Sequence, residues 1–99
     1  MTFELRFTRE AAEALDALEA SPHHARKLKK VRKALGLLQG DPRHPGLQSH
    51  KYSSVKGQNG EEVWDSYVEN RTPSAWRIFW HYGPGSDVIT ILTVGPHPD

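Results

Sequence analysis

Residues 75–82 read Ala75-Trp76-Arg77-Ile78-Phe79-Trp80-His81-Tyr82, the most apolar stretch of the chain. Side chains of a strand alternate between faces. Trp76, Ile78, Trp80 and Tyr82 therefore share one face, assigned here to a core covered by helices. Arg77, Phe79 and His81 share the other. Two further strand patterns flank this one, Glu62–Glu69 before it and Asp87–Val94 after it. The turns between them are Arg71-Thr72-Pro73-Ser74 and Gly83-Pro84-Gly85-Ser86. Connections this short predict an antiparallel meander.

Working toward the N-terminus, residues 41–60 are polar and rich in turn signals: Asp41-Pro42, Pro45-Gly46 and Asn59-Gly60, the last a hairpin signal. Within this segment His50–Lys56 is expected to form a short irregular strand. Before it, Ala25, Leu28, Val31, Leu35 and Leu38 recur at helical spacing, as do Ala11, Leu15 and Leu18. Thr8 is placed to cap the first helix. Ser21-Pro22 ends that helix and starts the second, and Gly40-Asp41-Pro42 stops it. Phe3, Leu5 and Phe7 alternate with charged residues, the pattern of a half-buried strand. The expected order is β-α-α-β-β-β: an α+β fold with a helical hairpin packed on an antiparallel sheet. The 99 residues are read as one domain.

Composition narrows the function classes. With no cysteine, disulfides and thiolate metal sites are excluded, and a reducing cytoplasm is the expected location. Charges at Glu4, Arg6, Arg9 and Glu10 break any signal-peptide core, and no apolar run reaches the length of a membrane span, so no membrane association is expected. The charge is unevenly distributed. Through Gln58 there are eleven Lys/Arg against six Asp/Glu, and from Asn59 onward two against six. A basic first half suits nucleic acid or an acidic protein partner.

Several residues are candidates for chemistry. A mid-strand arginine is costly unless paired. Arg77 is either bridged to Asp65 or Glu69 on the neighbouring strand or held as a rigid fork for a phosphate. His97, between Pro96 and Pro98, is either a solvated tail residue or an acid/base group. His50, Lys51, Tyr52 and Lys56 lie in a segment able to grip a phosphate backbone and stack a base. In residues 26–33 six of eight positions are basic, including Arg26, Lys29, Lys30 and Lys33. That run is either a solvated face or a docking surface for nucleic acid or an acidic segment. His23 and His24 lack the i, i+4 spacing of paired ligands and the other histidines are scattered, so no metal is expected. No phosphate-cradling glycine loop or nucleophile elbow is present, and no cofactor is expected.

Taken together, the order of elements, the segment Leu47 through Lys56-Gly57, the strand Trp76–Tyr82, and Ile89-Thr90-Ile91-Leu92-Thr93-Val94-Gly95 followed by His97 resemble the RelE/ParE superfamily of bacterial toxin components. The resemblance covers nearly the whole chain. It implies the toxin of a type II toxin–antitoxin system, with a cognate antitoxin from a neighbouring gene. In the nuclease branch it implies ribosome-dependent cleavage of mRNA by 2′-hydroxyl transesterification. The alternative within the fold is a non-nucleolytic protein, either a gyrase-directed toxin or a protein-binding module. By resemblance, Arg77 matches the mid-strand arginine that stabilises the phosphorane, and His97 the residue that protonates the leaving oxygen. Lys51 and Lys56 fall where many members bind phosphate. His50 and Glu69 are candidates for the base, and His44 lies in the loop where some members place a carboxylate. Nuclease members often carry basic residues on the strand before the arginine, whereas Glu62–Glu69 is acidic. Asp65 and Glu69, sharing strand parity, are expected to flank Arg77 and compete with a phosphate.

Overall fold

The computed structural model describes residues 2–97. Two helices and five strands follow in the order β1 (Glu4–Phe7), α1 (Arg9–Glu19), α2 (Ala25–Gly40), β2 (His50–Lys56), β3 (Glu62–Tyr67), β4 (Trp76–Tyr82) and β5 (Val88–Pro96). Thr8 caps α1 as expected: its Oγ1 accepts from the Ala11 N–H at 3.1 Å and donates to the Leu92 carbonyl at 2.7 Å, tying the helix start to β5. Ser21 caps a single 3₁₀ turn, Pro22–His24, which leads into α2.

The strand order is β1-β5-β4-β3-β2. From β2 to β5 the sheet is the antiparallel meander read from the sequence, with the Asn59-Gly60 region closing the β2–β3 hairpin. A wholly antiparallel sheet is not what forms, however. β1 lies parallel to β5, pairing Glu4 with Val88 and Phe7 with Ile91, so the sheet is mixed. The helical hairpin carries the chain across the sheet to its far edge, where β2 enters antiparallel to β1, and the meander then steps back strand by strand until β5 lies beside β1 in the same direction.

The helices cover one face. Val31, Leu35 and Leu38 of α2 and Ala11 and Leu18 of α1 pack with Ile78, Trp80, Ile89, Ile91 and Val94 of the sheet. Strand β4 divides between its faces as the alternation predicted. Tyr82 departs from this, 41% exposed at the end of the strand. Trp80 Nε1 donates to Ser66 Oγ at 2.7 Å, and the hydroxyls of Ser66 and Ser49 lie 2.6 Å apart, so a short polar chain ties the segment before β2 to the core.

Two irregularities decide which side chains reach the open face. Between β4 and β5 the register shifts, with Phe79 opposite Thr93 but Trp80 opposite Ile91, leaving one extra residue on β5. Such a bulge reverses the alternation beyond it. Ile89 and Ile91 point to the core before it, and Val94 points there after it. His97 is thereby delivered to the face opposite the helices. Past the end of β3, the N–H groups of Val68 and Glu69 both donate to the Trp76 carbonyl at 3.1 Å, a second two-against-one arrangement. It turns Glu69 away from the open face.

Candidate active site

Four strands contribute to a cluster on the open face. His50 of β2 pairs in register with Asp65 of β3, Tyr67 with Arg77 of β4, and His97 follows β5. Asp65 is at the centre, its side chain fully buried. His97 Nε2 lies 3.1 Å from Asp65 Oδ2, His50 Nε2 lies 3.5 Å from the same oxygen, and Arg77 Nε lies 3.4 Å from Oδ1. Burial pushes the Asp65 carboxyl above its ordinary value, while His50, Arg77 and His97 act in the opposite direction. His97, the nearest of the three at 3.1 Å, acts on Asp65 as a hydrogen-bond donor as well as by charge, whereas His50 and Arg77 act by charge alone.

Arg77 is 13% exposed and lies over the Tyr67 ring, its guanidinium carbon 3.8 Å from the ring centroid. Its Nη1 donates to the Glu69 carbonyl at 3.0 Å. Two of its three nitrogens thus face protein acceptors. His97 is 31% exposed, and its N–H donates to the Ala75 carbonyl at 3.0 Å, fastening the chain after β5 beside the 72–75 turn. Between that turn and His50, Tyr67, Arg77 and His97 is a polar pocket of about 310 Å³. Ser74, on its wall, holds a left-handed backbone at φ 55°. A larger apolar groove of about 650 Å³ adjoins it, lined by Tyr52, Val55, Phe79 and Thr93 among others. Tyr52 meets Phe79 and His97 edge-on, with centroids 5.1 and 5.8 Å away.

The structure therefore brings Arg77, His97 and His50 together around one pocket, with Tyr52 beside them. The remaining candidates are placed elsewhere. Lys51 lies 5.9 Å from the Trp64 ring, on the helix-covered face, because it is one residue out of phase with His50 and Tyr52. Lys56 is on the rim of the larger groove and donates to Glu62 at 2.9 Å. Arg26, Lys29, Lys30 and Lys33 are on α2, outside the pocket.

The expectation that Glu69 flanks Arg77 with its carboxylate is overturned. Only its carbonyl does so. The carboxylate accepts from Lys27 Nζ at 2.7 Å and from the Trp76 N–H at 3.2 Å, and lies 3.7 Å from Lys30. Burial raises its pKa, but these partners outweigh that and leave Glu69 below its ordinary value. A carboxylate committed in this way is no base for the pocket. His44 is likewise engaged away from it, its Nδ1 accepting from the Gly46 N–H at 3.0 Å.

Asp65 was legible as a partner for Arg77 but not as the centre of the cluster, and Tyr67 was missed. The available signal was parity: Asp65 and Tyr67 share the face that Arg77 occupies on the next strand. Among the described residues no group of three or more His, Asp or Glu side chains could hold a metal ion, and no helix is long and apolar enough to cross a membrane.

Solved structures match this architecture from end to end. The chain superposes on a chain of the archaeal RelE–RelB complex from Pyrococcus horikoshii with a TM-score of 0.63 and 16% identity, covering 97% of this chain and 96% of that one. The YoeB/ParE toxin from Agrobacterium tumefaciens gives 0.70 at 12% identity, covering 96% and 99%. This is the RelE-type toxin fold. The YoeB dimer from Staphylococcus aureus matches at 0.64 and 14% identity, over 99% and 100% of the two chains. No family model and no curated protein sequence matches the chain. In this RelE-type fold the described cluster occupies the uncovered side of the sheet, across the strands from the helices.

Proposed function

We propose that the protein is the toxin of a type II toxin–antitoxin pair, acting in the cytoplasm as a ribosome-dependent endoribonuclease on mRNA. The observation that carries this reading is the convergence of Arg77 and His97, from two different strands, on one buried carboxylate at the wall of an open polar pocket.

Transesterification of RNA needs three things: a proton taken from the 2′-hydroxyl, stabilisation of charge on the phosphorane, and a proton given to the departing 5′-oxygen. Arg77 is suited to the second. Its guanidinium is fixed by Tyr67, Asp65 and the Glu69 carbonyl, so little ordering remains when an anion arrives. His97 is suited to the third. Asp65, 3.1 Å from Nε2, orients the imidazole, the service a carboxylate performs in hydrolytic triads. His50 is better suited to positioning than to taking a proton. Its Nδ1 lies 2.9 Å from the Gln48 carbonyl and its Nε2 faces Asp65, so both nitrogens are turned to protein acceptors. Tyr52 and Phe79 offer ring surface next to His97 for a base. Lys56, at the groove rim, is placed to meet a backbone phosphate if it leaves Glu62, and Arg26, Lys29, Lys30 and Lys33 supply a more distant basic face. The partner proposed is a cognate antitoxin. Two of the matched structures, from P. horikoshii and E. coli, are RelE-type toxins in complex with their antitoxins.

The test is induction of wild type, Arg77→Ala and His97→Ala in bacteria, reading growth and the 5′ ends of cellular mRNA. Growth arrest with new mRNA ends for wild type, and neither for the variants, is expected. Equal growth of all three with intact mRNA defeats the nuclease reading. One observation favours a second reading, a non-nucleolytic protein of the same fold: Arg77 is already engaged by the protein, its Nη1 donating to the Glu69 carbonyl and its Nε standing 3.4 Å from the Asp65 carboxylate. DNA-damage signalling without mRNA cleavage would then mark a gyrase-directed toxin, and neither effect a protein-binding module.

A further inference from the structure

A separate groove of about 520 Å³ runs along α2, lined by Lys30, Lys33, Leu37, His44, Tyr67 and Val68. It shares one wall with the catalytic pocket: Tyr67 borders both, and its ring supports the Arg77 guanidinium at 3.8 Å. We propose that this groove is a second subsite for the same RNA strand, holding the nucleotides that leave the cleavage pocket over Tyr67, with Lys30 and Lys33 on their phosphates.

The electrostatics favour an anion. Glu69 is the carboxylate near these lysines, and its short bond goes to Lys27 at 2.7 Å. Lys30 is farther from it, at 3.7 Å, and half exposed. Arg26 precedes Lys30 by four residues on the same helical stripe, so the positive track continues past the groove. His44 adds a ring donor. Its Nδ1 accepts from the Gly46 N–H at 3.0 Å, which places the ring proton on Nε2. Position 46 suits this ring because it is glycine: a Cβ there would stand 3.1 Å from His44 Nδ1. Leu37 and Val68 supply an apolar floor for a sugar or base. Lysine point charges beside apolar and aromatic surface are the features that hold a single strand without reading its sequence. The continuity with a pocket built for a phosphodiester favours RNA over an acidic peptide.

This inference rests on the proposed nuclease reading, and the experiment separates the two. Binding of a fluorescent, non-cleavable 2′-O-methyl oligoribonucleotide of eight nucleotides is measured against salt for wild type, Lys30→Ala/Lys33→Ala, Lys30→Arg/Lys33→Arg and Arg77→Ala. Inorganic phosphate is titrated in parallel and followed by the His97 ring resonances. The alanine pair is expected to lower the slope of log affinity against log salt by about 1.4, two phosphates at about 0.7 each, with the arginine pair restoring it. Its phosphate titration is expected to match wild type. An unchanged slope in the alanine pair overturns the subsite, as does loss of poly-glutamate binding in place of RNA binding, or a wild-type protein that does not bind the oligonucleotide. A reduced slope in the alanine pair, with Arg77→Ala indistinguishable from wild type, upholds the groove and defeats the catalytic pocket.

Discussion

The two faces of strand β4 do opposite work. Ile78 and Trp80 point to the helices, are almost completely buried, and stabilise the fold by leaving water. Arg77 and Phe79 point the other way, beside a carboxylate whose burial costs stability because its charge is only partly compensated. One face is optimised for packing, and its polar groups, such as Ser66 and Trp80 Nε1, satisfy each other. The other carries strain of an electrostatic kind, and such places are where pKa values are moved for chemistry. The lesson is that a single seven-residue strand can serve the core and the site at once, since alternation isolates their demands.

This contrast can be broken by experiment. The largest effect expected is from Trp80→Ala, which empties the covered face and should cost about 3–5 kcal/mol in chemical denaturation. A loss below about 1 kcal/mol would mean the helices do not rest on this ring. On the open face, Arg77→Ala should lower RNA cleavage by about 10²–10³-fold, the scale for one preorganised charge-stabilising donor. Its denaturation midpoint should move far less than that of Trp80→Ala. A collapse of stability instead would make Arg77 a structural residue.

Smaller effects sharpen the boundary between the regions. Thr8→Ala removes the cap of α1 and the link to Leu92, and should cost about 1 kcal/mol with cleavage unchanged. Last is the pH dependence of Asp65. Its folded pKa is raised above the ordinary 3.8, so between those two values the folded state binds more protons than the unfolded. Stability contributed by Asp65 therefore falls as pH rises through that window. Asp65→Asn should abolish this slope, leaving the variant as stable as wild type or more so at neutral pH while cleavage falls. A wild-type stability that rises with pH relative to Asp65→Asn would show that the surrounding cations overcompensate the burial.

Much of this arrangement was legible beforehand. The helical hairpin followed from apolar spacing, the β4 faces from alternation, and the three-strand meander from short turns. Arg77 and His97 could be singled out by type and position, and His50 and Tyr52 by their segment. Lys51 and Glu69 were misplaced for the same reason: a strand's parity cannot be extended through a loop or a bulge without knowing the pairing. Glu69 has the parity of Asp65 but lies beyond the doubled contact on the Trp76 carbonyl, and so meets Lys27 on α2.

From its residues alone the chain determined which elements form, since periodicity and capping are local, and which side of β4 carries the arginine. Only the tertiary structure decided that β1 lies parallel beside β5, that the β5 bulge swings His97 onto the face of Arg77, and that Asp65 gathers both. Those outcomes depend on how hydrogen-bond registers close between strands distant in sequence. A shift of a single residue in such a register moves a side chain from one face of the sheet to the other.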